Sequence, residues 1–473
     1  MEQLLNQADA LLLTATEDDG PESRPDFDIP QELMHLTSIP DFLQLQENPK
    51  KGKGWVSKQS LPAGTVLMVA KPIGWAMDSE EEYNNEEDDY DDNMEDDDED
   101  LTDPEGVYDS QINEIVVLQI LQYIQENPSI WFEKVSTLYP RENVGAFPTW
   151  NFKNDDNSSK FKAMINEIET IPELQGKSKE IAQRLPLIVR YNVLSIETCP
   201  ELLSYPGPTG YSALAGVGLY HLPSFFNHDA RPNVSRYAVG DVMWFVTNQD
   251  IPIGQELCIS YLEHDVLCES AVRRNYMLTL DFKEHQDANK EDFSEEDGPN
   301  CPVIDSEVQM ELMEMIPFDR LEAIDQLLEQ AHGNVLPEGE RIEEDAMDAE
   351  GIAWFQCDIQ NLRILKAITL ESLGQSEKAL DLWERCVSFS ETCMPPNDES
   401  LIVMRVQAAL CAWQVQKKEL AKEHARVAYH VHNVLFGGGI ARFRRRYLKE
   451  FCLNLRKTKD SVENILWPNN NDH

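Results

Sequence analysis

Positive charge is scarce in this chain. Its 473 residues include 40 Lys and Arg against 86 Asp and Glu, a formal net charge of −46. Non-specific nucleic-acid binding needs Lys and Arg to neutralise phosphates, so that class of function is excluded. Cysteine is sparse and unpatterned. The nine (Cys199, Cys258, Cys268, Cys301, Cys357, Cys386, Cys393, Cys411, Cys452) are odd in number and none form C-x-x-C. Neither a disulfide framework nor a zinc cluster is indicated, and they read as small buried hydrophobes in a reducing compartment. Long apolar runs are missing too: nothing approaches the roughly 18 residues of a membrane span. The first residues, MEQLLNQADALLLTATEDDG, are acidic with alternating apolar groups and read as a helix, not a leader. The expectation is a soluble protein of the nucleus, the cytoplasm or both, with no membrane partner.

An apolar fraction of 41% over this length supports two or three domains. So strong an acidic balance steers basic partners such as histone tails toward the surface. It is equally consistent with a device for solubility alone.

Residues 1–48 read as an N-terminal helical and acidic extension, with a short helix near Gln31–Leu36. From 49 to 77 come a strand at Lys51-Gly52-Lys53-Gly54-Trp55-Val56, a turn at Pro62-Ala63-Gly64 and a second β-rich run. Between Asp78 and Asp109 nineteen residues are acidic and none is basic, so self-repulsion predicts an unstructured insertion over 78–110. Residues 111–196 are predicted helical. Ile112–Gln125 is apolar around most of its circumference and therefore buried, and Pro186 is expected to interrupt Lys179–Val193. Cys199–Ala215 is rich in Pro and Gly and reads as a loop. Glu263–Thr279 reads as a helix, and 285–306 as an acidic linker. From 307 to 473 the pattern is all-helical, with Ala379 and Ala421 at matching places in units about forty-two residues apart. The cluster Arg442–Tyr447 is predicted to bind the protein's own acidic surface or an acidic partner, or to be a solvated helix face.

The chemistry concentrates between Gly216 and Tyr261. Gly216-Val217-Gly218-Leu219-Tyr220 leads to Asn227-His228, then Pro232-Asn233, two β-type runs about Val239-Gly240-Asp241, a turn at Pro252–Gln255, and Glu256-Leu257-Cys258-Ile259-Ser260-Tyr261. Asn-His, Pro-Asn and G-x-E-L-x-I-S-Y in this order resemble the core of a SET-domain protein-lysine methyltransferase. With the helical C-terminal half, the likeness is to the SET-and-MYND (SMYD) and SET-plus-TPR types.

The resemblance implies an α+β fold: a β-rich SET domain split by a helical insert (111–196), a SET core with a post-SET-like segment (197–284), and an all-α TPR-like domain. The implied activity is methyl transfer from S-adenosylmethionine to lysine on a basic protein, with room for a partner peptide in the helical domain's groove. Tyr261 matches the catalytic tyrosine. Gly52, Lys53 and Gly54 match the strand that approaches the donor, and Trp55 either covers it or packs. Asn192 matches a cofactor contact, though a turn Asn reads the same way. Asn227 and His228 match the loop that holds the cofactor, though a lone histidine reads equally as structural. Phe282 matches the aromatic that stacks on adenine, or is plain core. Tyr220, Phe225, Phe226 and Trp244 are channel wall or sheet core. Two departures stand out: Ala230 replaces a zinc-ligand cysteine, and Phe282–Asp287 replaces the cysteine-rich tail, so no zinc is expected. The Rubisco-methyltransferase branch of SET proteins manages without zinc. A non-catalytic SET and TPR scaffold and an acidic histone-binding protein remain open readings.

Overall fold

In the computed structural model, the structure describes residues 31–48, 51–77, 107–108, 111–141, 150–197, 215–239, 242–262, 267, 278, 306–334, 356–448 and 461–468. The expected N-terminal helix, nearly all of the acidic insertion, the 199–214 loop, nearly all of the 263–279 helix, Phe282 and the 285–305 linker lie outside them. Among the described residues no helix is long and apolar enough to cross a membrane.

Leu43–Asn48 (β1) and Gly52–Ser57 (β2) form an antiparallel hairpin in register from Leu43 opposite Ser57 to Asn48 opposite Gly52. The last residues of the expected N-terminal extension thus form a strand paired with β2. Val66–Ala70 (β3) does not pair with β2. It joins the hairpin Val234–Val239 (β10) and Val242–Thr247 (β11) in a separate sheet ordered β10-β11-β3. Gln31–Leu36 is a 3-10 helix, and Leu36 packs with Val69, Val242 and Trp244. A third sheet places Ala215–Leu219 (β8) between Gly74–Met77 (β4) and Val193–Glu197 (β7). Val107–Tyr108 (β5) and Trp150–Asn151 (β6) pair parallel.

The insert comprises helices α1 (Gln111–Glu126), α2 (Ser129–Glu133), α3 (Asp155–Ile168) and α4 (Ser178–Asn192). Helix α1 packs on β4 and β8, and Gly74 lets it come close, since a Cβ there would lie 2.7 Å from Ile120. Asn154 caps α3 by accepting from the amides of Asp156 and Asn157 at 2.9 and 3.1 Å. Helix α4 runs straight through Pro186, contrary to expectation. Leu185, Pro186, Leu187, Ile188 and Val189 are all buried, and this packing outweighs the hydrogen bond the proline forfeits.

The C-terminal half contains α5 (Ser306–Glu314), α6 (Pro317–Asn334), α7 (Gln356–Ser372), α8 (Ser376–Cys393), α9 (Ser400–Gln414), α10 (Lys418–Leu435), α11 (Gly439–Tyr447) and α12 (Val462–Leu466). From α7 to α10 each packs against the next, and Ala379 and Ala421 are both fully buried in α8 and α10. The basic cluster departs from prediction. Arg442 and Arg444 are buried and donate to backbone carbonyls, Arg442 to Phe436 and Arg444 to Trp467 at 2.7 Å, while Arg446 lies 4.0 Å over the Phe436 ring. The buried guanidiniums are held by carbonyls, rings and the Asn464 side chain, which Arg444 reaches at 2.7 Å, because α11 lies inside the domain's packing.

Candidate active site

The site is organised by Glu256–Ile259 (β12), which follows the Gly254 turn. On one side β12 pairs antiparallel with β2, Glu256 opposite Val56 and Leu257 opposite Trp55. Beyond that, it pairs parallel with the two-residue strand Asn227–His228 (β9), Cys258 opposite Asn227 and Ile259 opposite His228. One strand thus collects the glycine segment and the Asn-His loop from distant parts of the chain, and it runs out at Tyr261.

Side chains lock this crossing. Asn233, 5% exposed, takes the place of a strand neighbour: its amide donates to the Glu256 carbonyl and its oxygen accepts from the Cys258 N–H, each at 2.8 Å. Asn227 donates to the Glu256 carboxylate at 2.7 Å. That pair lies directly on Gly54, where a Cβ would run into Asn227 Nδ2 and come within 2.6 Å of Glu256 Oε1. Gly54 therefore makes room for the protein's own side chains. Gly52 serves differently, with φ +77° at the hairpin turn and open space where a Cβ would stand.

Tyr261 is tied at both ends. Its N–H donates to His228 Nδ1 at 3.0 Å, and its phenol donates to the Phe226 carbonyl at 2.8 Å. Burial, reinforced by Cys258 and Glu256, pushes the phenol well above the ordinary tyrosine range, so it keeps its proton. Burial and the Glu256 charge likewise push the Cys258 thiol up to about 12. It is inert as a nucleophile. Lys51 Nζ donates to the His228 carbonyl at 3.2 Å.

A cavity of about 410 Å³ opens beside Tyr261. The α4–β7 junction (residues 190–195) forms one wall, Pro223, Ser224 and Phe226 another, and Ile259–Tyr261 a third, with Arg236 from β10. Of the residues expected to bind cofactor, Asn192 lines this cavity, as does the expected catalytic Tyr261. Asn192 also donates to the carbonyls of Tyr139 and, at 2.8 Å, Ile188. Asn227, His228 and Gly54 meet next to the cavity without lining it, and Tyr261 belongs to both groups. Lys53 points to Glu47, 3.9 Å away.

Trp55 is wholly buried, donates to the Leu222 carbonyl at 3.0 Å and packs edge-on to Phe225, so it offers no surface to a ligand. Tyr220, Phe225, Phe226 and Trp244 are all buried, and of the four Phe226 also lines the cavity. Phe282 lies outside the described residues. Among those residues no cluster of His, Cys, Asp or Glu is placed to hold a metal ion.

Some contributors were missed by motif reading. Glu256 had a visible signal, an acid opening an otherwise apolar strand. Arg236, which donates to Ser195 O at 2.6 Å and Ser195 Oγ at 3.0 Å, had none.

The family model of the SET domain matches residues 52–262, which contain every element just described from β2 to Tyr261. Over this stretch the chain is similar to SET domains. No curated protein matches the chain. Among solved structures 29 chains match. One of them, the SET domain of LSMT bound to lysine and AdoHcy, is 11% identical over 98% of each chain, with a TM-score of 0.22. That score is too low to carry detail from one chain to the other. Relative to the match, β1 adds a strand ahead of the matched stretch, and the helical half follows it.

Proposed function

We propose that this protein is an S-adenosylmethionine-dependent protein-lysine N-methyltransferase of the SMYD or SET-plus-TPR kind, acting on a basic protein. The observation that carries the reading is Tyr261. Its protonated phenol is fixed at a cavity wall, and its backbone is fixed to the Asn227–His228 strand. The cavity's size lies within the range of small-molecule sites. Its lining of aromatic rings, the Asn192 amide and the Ser224 and Ser195 hydroxyls suits a nucleoside with a polar tail.

S-adenosylmethionine supplies an electrophilic methyl group on a sulfonium. The protein's own residues have to orient and exclude. Asn192, through its side-chain oxygen, and the backbone around Tyr261 would hold the donor, and Phe226 and Ile259 keep water from the wall. Tyr261 cannot act as a base with its proton held, so it orients the incoming amine through its oxygen. An apolar approach favours the neutral, nucleophilic amine over the ammonium. Alignment to about 3–3.5 Å then supplies much of the rate. The net charge of −46 favours a basic substrate.

The test is incubation of the wild type and Tyr261→Phe with isotope-labelled donor, histones and a cell lysate. The wild type should label lysine, and the variant should lose on the order of 10²-fold in kcat, the scale of one positioned donor. Saturable donor binding without any labelling would point to the second reading, a non-catalytic SET scaffold. That reading is favoured by one feature: the side chains of Asn227 and His228 are engaged by Glu256 and the Tyr261 amide.

A further inference from the structure

The loop that follows β9 is fastened to the helical half of the molecule. Arg231, three residues beyond His228, donates from Nη1 to the Met394 carbonyl at 2.9 Å and from Nη2 to the Thr392 carbonyl at 3.0 Å. Both acceptors are at the C-terminal end of α8, where carbonyls have no partner inside the helix and the helix dipole favours a cation. The loop is shaped for this reach, because Asp229 Oδ1 accepts from the Arg231 N–H at 2.8 Å. A second fastening stands beside it. Asn397, in the turn after α8 with φ +53°, donates to the Asn248 carbonyl at 2.7 Å. Asn248 in turn donates to the Pro232 carbonyl at 2.9 Å and the Asn233 carbonyl at 3.1 Å. On the far side of Tyr261, Leu262 and Leu267 pack with Phe389 and Met394 of the same helix end.

We propose that Arg231 is a positioning residue through which the C-terminal end of α8 sets the geometry of the Asn227–Tyr261 crossing. The path is short, made of hydrogen bonds joined by two brief stretches of backbone. Arg231 and Asn248 hold the backbone at 231–233, Asn233 holds β12 at Glu256 and Cys258, and β12 with His228 holds Tyr261. The Asp229 N–H closes the loop onto the Ile259 carbonyl at 3.0 Å. The SET-like stretch is thus incomplete without the helical half, which supplies a buttress and not merely a neighbouring surface. What the crossing does chemically rests on the function proposed above, whereas the mechanical coupling does not.

The full-length protein provides the test, by amide hydrogen exchange on the wild type, Arg231→Ala, Arg231→Lys and Asn397→Ala. In Arg231→Ala the amides of Asp229 and Tyr261 should exchange faster by on the order of tenfold, while those of α10 keep their protection. Lysine reaches one carbonyl instead of two and should fall between. Asn397→Ala should quicken Asn233 and Asn248 first. Unchanged exchange at Asp229 and Tyr261 would overturn the proposal. So would uniform quickening through α10, which would make Arg231 an ordinary stabilising contact. If Arg231→Ala does not fold, Arg231→Lys and Asn397→Ala decide the same question. Titration with S-adenosylmethionine runs in parallel: absence of binding to the wild type would defeat the functional reading and leave the exchange result intact.

Discussion

The phenol of Tyr261 shows how one residue's surroundings restrict its chemistry. The residue is 38% exposed, yet its hydroxyl turns inward to the Phe226 carbonyl, and burial favours the neutral form. A raised phenol pKa means that the proton stays on to higher pH than in a free tyrosine. On the methyl-transfer reading proposed above, the pH profile of kcat should therefore rise as the substrate amine deprotonates and show no fall from tyrosine ionisation below about pH 10. A falling limb near neutrality that vanishes in Tyr261→Phe would contradict the assignment. The two glycines of β2 separate in the same manner. At Gly52 the constraint is φ, so Asn, which tolerates the left-handed region, should be nearly neutral there. At Gly54 the constraint is the space taken by Asn227 and Glu256, so even Ala should cost about 1–3 kcal/mol by overpacking. Urea denaturation of Gly52→Asn and Gly54→Ala measures both. A Gly54→Ala protein as stable as wild type would mean that the Asn227–Glu256 pair moves aside without cost.

At the level of elements, the crossing depends on Asn233 acting as a piece of strand. Asn233→Ala leaves the Cys258 N–H and Glu256 carbonyl without that partner in a buried place, which costs about 1–3 kcal/mol for each group left unpaired. Equilibrium unfolding should show a loss of that order, and Asn233→Ser, too short to span both groups, should recover only part of it. The motif Pro232-Asn233 was legible in the sequence, as were the strands β2, β10, β11 and β12, because alternation and β-branched residues act locally. Which strands pair was not legible. Trp244 lies opposite Val69 across some 175 residues, and nothing in either segment specifies the other. The Pro186 error has the same origin. The local rule that proline breaks helices is sound, but the burial of its neighbours in α4 was set by sheets elsewhere in the chain. Arg442 and Arg444 were read as surface because charge is normally solvated. Their partners include backbone carbonyls, which every residue carries and no pattern marks.

Across the whole molecule, the two halves have separate cores, and Tyr237 joins the helical one to the small cluster of Leu36, Val69, Val242 and Trp244; its ring meets Phe436 at 5.1 Å and lies under Arg442 at 5.6 Å. The helical core contains an acid-sensitive element. His432 is fully buried in α10, ringed by Phe436, Phe443 and Tyr447, and among the described residues neither of its ring nitrogens has a hydrogen-bond partner. Burial first, then the Arg446 and Arg442 charges, hold its pKa well below the usual histidine value. His424 is held down to about 4 by burial and Arg405, and His221 in the SET-like half to about 4 by burial and Lys134. In each case the unfolded chain takes up a proton near pH 6.5 and the folded chain does not until pH is much lower. The unfolded state therefore binds more protons, and stability falls as pH drops from about 6.5 toward 4. The melting temperature should decline over that window. His432→Phe, which removes one of the three sites, should flatten the decline while His221 and His424 keep their share. Because His432 stands by the Arg442–Tyr237 junction, its protonation should also loosen the contact between the halves, so the protection factors of the α10 amides, corrected for the intrinsic rate at each pH, should fall in acid before those of α1. An acid limb unaltered in His432→Phe would show that the imidazole finds a proton-accepting partner as the pH falls.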